Sequence, residues 1–64
     1  MYEVKCNGRL IKIIAASDPE EAYRRSCKGF IPTTPLQITD IYTKESWMIT
    51  RTIHPYGPST INIL

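Results

Sequence analysis

Sixty-four residues, 42% hydrophobic and 22% charged, make one small domain, outside the composition range of disordered chains and too short to enclose a deep catalytic cleft. The net charge of +2 is mildly basic, less than a dedicated nucleic-acid binder of this size usually carries. No apolar run approaches the ~18 residues that span a bilayer, and MYEVKC lacks the basic and apolar regions of a secretion signal, so a soluble cytoplasmic protein is expected.

Two cysteines fall far short of the dense framework of a small secreted scaffold, which fits a reducing compartment. Met1 and the lack of tag-like residues read as a complete small reading frame, of a size common in phages and mobile elements.

In chain order, Tyr2–Cys6 and Arg9–Ala16 flank Asn7-Gly8, the strongest short hairpin signal, because a type I′ turn needs positive φ at both central residues. A regular two-residue hairpin opposes Cys6 to Arg9, Lys5 to Leu10, Val4 to Ile11, Glu3 to Lys12 and Tyr2 to Ile13. Tyr2, Val4, Cys6, Ile11, Ile13 and Ala15 then share an inner face. Glu3, Lys5, Leu10, Lys12 and Ile14 take the other.

Ser17-Asp18-Pro19-Glu20-Glu21 opens a helix: Asp18 as N-cap sets Pro19 at the first helical position and Glu21 at the capping-box position. Ser17 with Glu20 is the alternative box, one residue earlier. Acidic residues fill the first turn and Arg24, Arg25 and Lys28 the last, which suits the macrodipole, and Gly29 is a natural left-handed stop. About ten residues of helix do not persist alone, so the face made by Ala22, Tyr23, Ser26 and Cys27, with Phe30 following, must pack on the sheet.

Ile31–Pro35 reads as loop, and Leu36–Thr43 as a strand whose alternation breaks near Thr39-Asp40. Lys44-Glu45-Ser46 reads as a short turn. Trp47–His54 is a further strand, with Trp47, Ile49, Arg51 and Ile53 on one side and Met48, Thr50, Thr52 and His54 on the other. Pro55-Tyr56-Gly57-Pro58 is turn chemistry. The tail Ser59–Leu64 forms a last short strand with Ile61 and Ile63 inward, or docks on a partner.

The expected sum is an α+β domain over residues 1–64: β-hairpin–α–β-hairpin (ββαββ), with a fifth short C-terminal strand as an option. One mostly antiparallel sheet carries the single short helix on one face. The alternative is two layers, with the second hairpin folding away to pair between protomers.

Chemistry is sparse. Cys6 and Cys27 point toward the helix–sheet interface, where they read as small buried hydrophobes before they read as a disulfide. With no C-x₂₋₄-C pair, a metal site completed by His54 lacks the spacing zinc uses, and no metal or cofactor is expected. His54, the single histidine, has Asp40 as its one plausible orienting carboxylate and Ser46 or Ser59 as invocable nucleophiles. No motif supports that arrangement, and no enzyme is expected. With three scattered glycines there is no phosphate loop.

Two binding readings remain. One helix cannot cover Leu10, Ile14, Ile41, Met48, Ile53 and Tyr56 together, so some apolar surface faces a partner. Tyr42 and Trp47, opposed across a tight turn, with Met48, Ile49 and Tyr56, are the expected contact residues for another protein or a second copy. That pattern suits a small non-enzymatic binding module, of the phage accessory or inhibitor kind, acting through an open sheet face. The alternative is nucleic-acid binding through Lys5, Lys12, Arg24, Arg25 and Lys28. A hairpin followed by A-x-S-D-P-E-E-A is accounted for by turn and capping rules, and no family resemblance is drawn from it.

Overall fold

A computed structural model describes residues 1–29, 32 and 34–64. The elements are β1 (Tyr2–Cys6), β2 (Arg9–Ile14), α1 (Pro19–Ser26), β3 (Leu36–Asp40), β4 (Ser46–Thr52) and β5 (Thr60–Ile63). The five strands form one antiparallel sheet in the order β2-β1-β3-β4-β5. The α+β layout expected from the sequence is the observed one, with the optional fifth strand present and the second hairpin in the same sheet. Consecutive strands are neighbours except where α1 crosses over β1 to join edge strand β2 to β3.

The helix forms where its caps demand. Asp18 is extended and accepts a 2.7 Å bond from the Glu21 amide through Oδ1, with Pro19 first in the helix. The Glu21 carboxylate reaches back to the Ser17 amide at 3.0 Å, one residue beyond the position of a standard capping box. The helix spans eight residues, shorter than the ten expected, and Gly29 follows with φ +90°. Its inner face is the one expected: Ala22, Tyr23, Ser26 and Cys27 are all buried. The Ser26 hydroxyl is satisfied by the Ala22 carbonyl at 2.6 Å. Phe30, anticipated to continue that face, and Ile31 and Thr33 of the following loop lie outside the described residues.

This face rests on Tyr2 and Val4 of β1, Leu36 and Ile38 of β3 and Ile49 of β4, which together make the core. Cys6, Ile14, Ala16, Trp47 and Ile61 pack around it. α1 starts at the Tyr2–Asp40 end of the sheet, with Asp18 and Glu21 near enough to the Tyr2 phenol to act on it electrostatically, and runs toward the Asn7-Gly8 tip. At its far end the Arg51 guanidinium lies 5.7 Å from the centroid of the Tyr23 ring.

Four expectations are corrected. The first hairpin starts in the expected register at Cys6↔Arg9 and Lys5↔Leu10. It then slips to Val4↔Lys12, Glu3↔Ile13 and Tyr2↔Ile14. Ile11 is the extra residue of a β-bulge, so Ile14 rather than Ile11, Ile13 and Ala15 meets the core. The reason is the connection: β2 must rise directly into α1, and the residues nearest the helix are the ones drawn under it.

The second correction is that β3 ends at Asp40, where the alternation of the sequence breaks, and the turn is longer than Lys44–Ser46. The Asp40 carboxylate caps it by accepting from the Tyr42 and Thr43 amides at 2.8 and 3.2 Å, and Lys44 adopts φ +67°. Trp47 therefore opposes Ile38, and Tyr42 sits in the turn with no cross-strand partner. Third, β4 ends at Thr52, short of His54. Fourth, Ile61 packs on the core as expected, but Ile63, opposite Ile49, is left exposed beyond the reach of the short helix.

Candidate interaction surfaces

The residues expected to bind a partner do not converge. Ile49 is fully buried beneath the helix, and Trp47 packs against the core beside it. Met48 lies on the opposite, open face of the sheet, next to Gln37, where its carbonyl accepts the Leu64 amide at 2.8 Å. Tyr42 (77% exposed) and Tyr56 (94% exposed) stand on two separate turns. The proposed aromatic platform is thus split between core, open face and two loops.

The open face is mostly polar. Rows of directly opposed residues run Ile13–Glu3–Thr39–Ser46 and Leu10–Lys5–Gln37–Met48 across it. Thr39 and Ser46 share a 2.8 Å hydroxyl bond, and the Asn62 amide donates to the Thr52 hydroxyl at 2.8 Å. The apolar members of these rows are Leu10 and Ile13 at the β2 edge and Met48 on β4.

The apolar surplus lies instead on edge strand β2. Leu10, Ile11 and Ile13 are 47, 43 and 53% exposed, and the strand's backbone is paired on one side alone. Sequence reasoning missed this because it assigned Ile11 and Ile13 to the core. The signal available was number: RLIKII carries four large aliphatic residues, more than one half-buried strand face can hide. Ile53, Ile63 and Leu64 are also exposed, Ile63 on edge strand β5 opposite Ile49 and Ile53 just past the end of β4.

Charge is sorted along the strand direction. All six carboxylates lie toward the Tyr2–Asp40 end: Glu3 near the start of β1, Asp18, Glu20 and Glu21 at the start of α1, and Asp40 and Glu45 at the β3–β4 turn. Burial, and then Asp40, Asp18 and Glu21 in that order, raise the pKa of the Tyr2 phenol above its ordinary value. Toward the tip end lie Lys5, Arg9, Arg24, Arg25, Lys28 and Arg51, while Lys12 is mid-strand and Lys44 sits among the acids. Of the five cations expected to contact nucleic acid, Arg24 and Arg25 are paired to Glu20 and Glu21 at 3.0 and 3.5 Å. Lys5 is on the sheet face away from them, and Lys12 is on the edge.

Nothing assembles a catalytic group among the described residues. The exposed His54 bonds the Thr60 hydroxyl through Nε2 at 2.7 Å. Asp40, its anticipated partner, is committed to a turn at the other end of the sheet. Cys6 and Cys27 are free thiols, with the Cys6 Sγ 3.4 Å from the Thr34 hydroxyl. No three His, Cys, Asp or Glu side chains come together to hold a metal, and no cavity opens among the described residues. Burial pushes the Tyr23 phenol up to about 12, the Cys27 thiol adds to the shift and Arg51 opposes it. Neither the Tyr23 hydroxyl nor the Arg51 Nε makes a hydrogen bond among the described residues. No helix is long and apolar enough to cross a membrane.

Comparison of the chain with models of known families, with curated proteins and with solved structures finds no match.

Proposed function

We propose that this chain is a small non-enzymatic protein-binding module, an accessory or inhibitor of the reducing cytoplasm, that accepts an added strand at the open β2 edge. The carrying observation is a six-residue edge strand with its backbone unpaired on one side and Leu10, Ile11 and Ile13 all exposed. Strand addition uses such an edge directly: backbone bonds supply affinity and alternate side chains supply selectivity. The free thiols of Cys6 and Cys27 support the compartment.

Affinity capture from native cells, run in parallel with wild type and with Ile11→Lys/Ile13→Lys, tests the edge. The expected result is a partner retained by wild type and lost by the double variant, whose substitutions touch no core residue. A partner held equally by both moves the contact to the polar face or to the Tyr42 and Tyr56 turns.

The collection of cations at the tip end favours nucleic-acid binding as a second reading. It is weaker because Arg24 and Arg25 already have carboxylate partners, and because Trp47, the best stacking platform, is packed against the core. Retention on single-stranded DNA that falls steeply with salt is the result that reverses the order of the two readings.

A further inference from the structure

We infer that the β2 edge is shaped for an acidic, extended polypeptide segment and against a second copy of this chain. The inference rests on the edge-addition reading and adds the chemistry of the occupant.

The bulge is the key feature. In a regular strand, alternation would place Arg9 with Ile11 and Ile13 on one face and Leu10 with Lys12 on the other. The extra residue at Ile11 re-sorts them. Arg9 now opposes Cys6 and Lys12 opposes Val4, so both cations share the helix-side face. Leu10 opposes Lys5 and Ile13 opposes Glu3, so both aliphatic residues share the open face. Odd spacing in the sequence becomes a two-sided edge: Arg9 and Lys12, followed by the half-buried Ile14, on the helix side, and Leu10 and Ile13 on the open side.

An incoming strand that alternates acidic and apolar residues, and that passes over Ile11 as β1 does, matches both sides at once. Its carboxylates fall beside Arg9 and Lys12, and its apolar residues beside Leu10 and Ile13. Neither Arg9 nor Lys12 is taken by an ion pair among the described residues, and β2 itself carries no carboxylate. A second β2 fits badly. Antiparallel self-pairing would gather two Arg9 and two Lys12 side chains along one seam with no acid on either strand. Like charges opposed in a sheet are destabilising, and a lysine on an edge is a known guard against self-pairing.

The test uses the full ¹⁵N-labelled chain and two capped seven-residue peptides, one alternating Val with Glu and the other Val with Lys. The expected result is a shift of the Arg9–Ile14 amides by the Val/Glu peptide, at least roughly 10-fold tighter than any shift by the Val/Lys peptide and weakening with salt. Arg9→Glu/Lys12→Glu, which changes exposed side chains alone, should reverse the preference. Equal binding of both peptides at β2 overturns the acidic inference and leaves edge addition standing. Binding of neither peptide overturns both. A dependence of the β2 amide shifts on protein concentration without peptide, accompanied by a dimer in light scattering, also overturns the inference, because the edge then takes a second copy.

Discussion

β1 and β2 are the two arms of one hairpin, and their fates diverge. β2 is the more aliphatic arm, with Leu10, Ile11, Ile13 and Ile14 against the single Val4 of β1, yet β1 holds the buried Tyr2 and Val4 while β2 has no buried residue. Position explains the difference. β1 has strands on both sides and the helix above it, whereas β2 is an edge that the short helix only partly overlaps, and its bulge turns Ile11 and Ile13 away. Hydrophobicity sets how much a side chain gains by burial. The topology sets whether burial is on offer, and in β2 the unclaimed gain is what a partner can use.

Truncating an isoleucine of the core and an isoleucine of the β2 edge separates position from hydrophobicity most directly. Ile49→Ala, beneath the helix, should cost about 2–5 kcal/mol in chemical denaturation, a large share of the total stability of so small a domain. Ile13→Ala should stay within about 0.5 kcal/mol. A comparable loss at Ile13 would mean that the free chain already buries β2, and the edge would not be open.

A smaller effect is expected at the turn joining the two arms. Asn7 and Gly8 adopt φ +52° and +79°, and a Cβ at Gly8 would meet open space, so Gly8→Ala isolates backbone strain from packing. It should cost roughly 1–2 kcal/mol, with hydrogen exchange accelerating in β2 before β1. Uniform acceleration across both arms would show that β2 is held as firmly as the core strand.

The smallest effect at neutral pH concerns what covers β1. Tyr23→Phe removes a buried hydroxyl without a hydrogen-bond partner among the described residues and should leave stability within about 1 kcal/mol, or raise it. Its signature is in alkali. The folded phenol holds its proton up to about 12, while the unfolded one ionises near 10, so wild-type stability is full below the lower value and declines as pH rises through that window. Tyr2 shifts in the same direction. Denaturation midpoints from pH 9 upward should fall less steeply for Tyr23→Phe; parallel curves would place the alkaline loss elsewhere.

Much of the architecture was legible where local rules act alone. The Asp18 cap, the Pro19 start and the inner face Ala22, Tyr23, Ser26 and Cys27 each depend on residues a few positions apart, whereas the helix stops at Ser26, before Gly29. The Asn7-Gly8 turn depends on neighbouring residues in the same way. The contact residues were less legible. Tyr42 and Trp47 look like a cross-strand pair only if the turn between them is tight, and Asp40 lengthens that turn by capping it.

Four strands, one capped helix and the buried helix face follow from the sequence by itself, because propensity, capping and turn geometry are short-range, whereas the pairing of the tail as β5 does not. The strand order, the bulge at Ile11 and the exposure of β2 were decided by the tertiary structure alone. Eight residues of helix cover only part of a five-stranded sheet, and the chain must leave β2 upward to form that helix. Which apolar residues remain outside is a matter of packing across the whole sheet, and no local pattern in RLIKII records it.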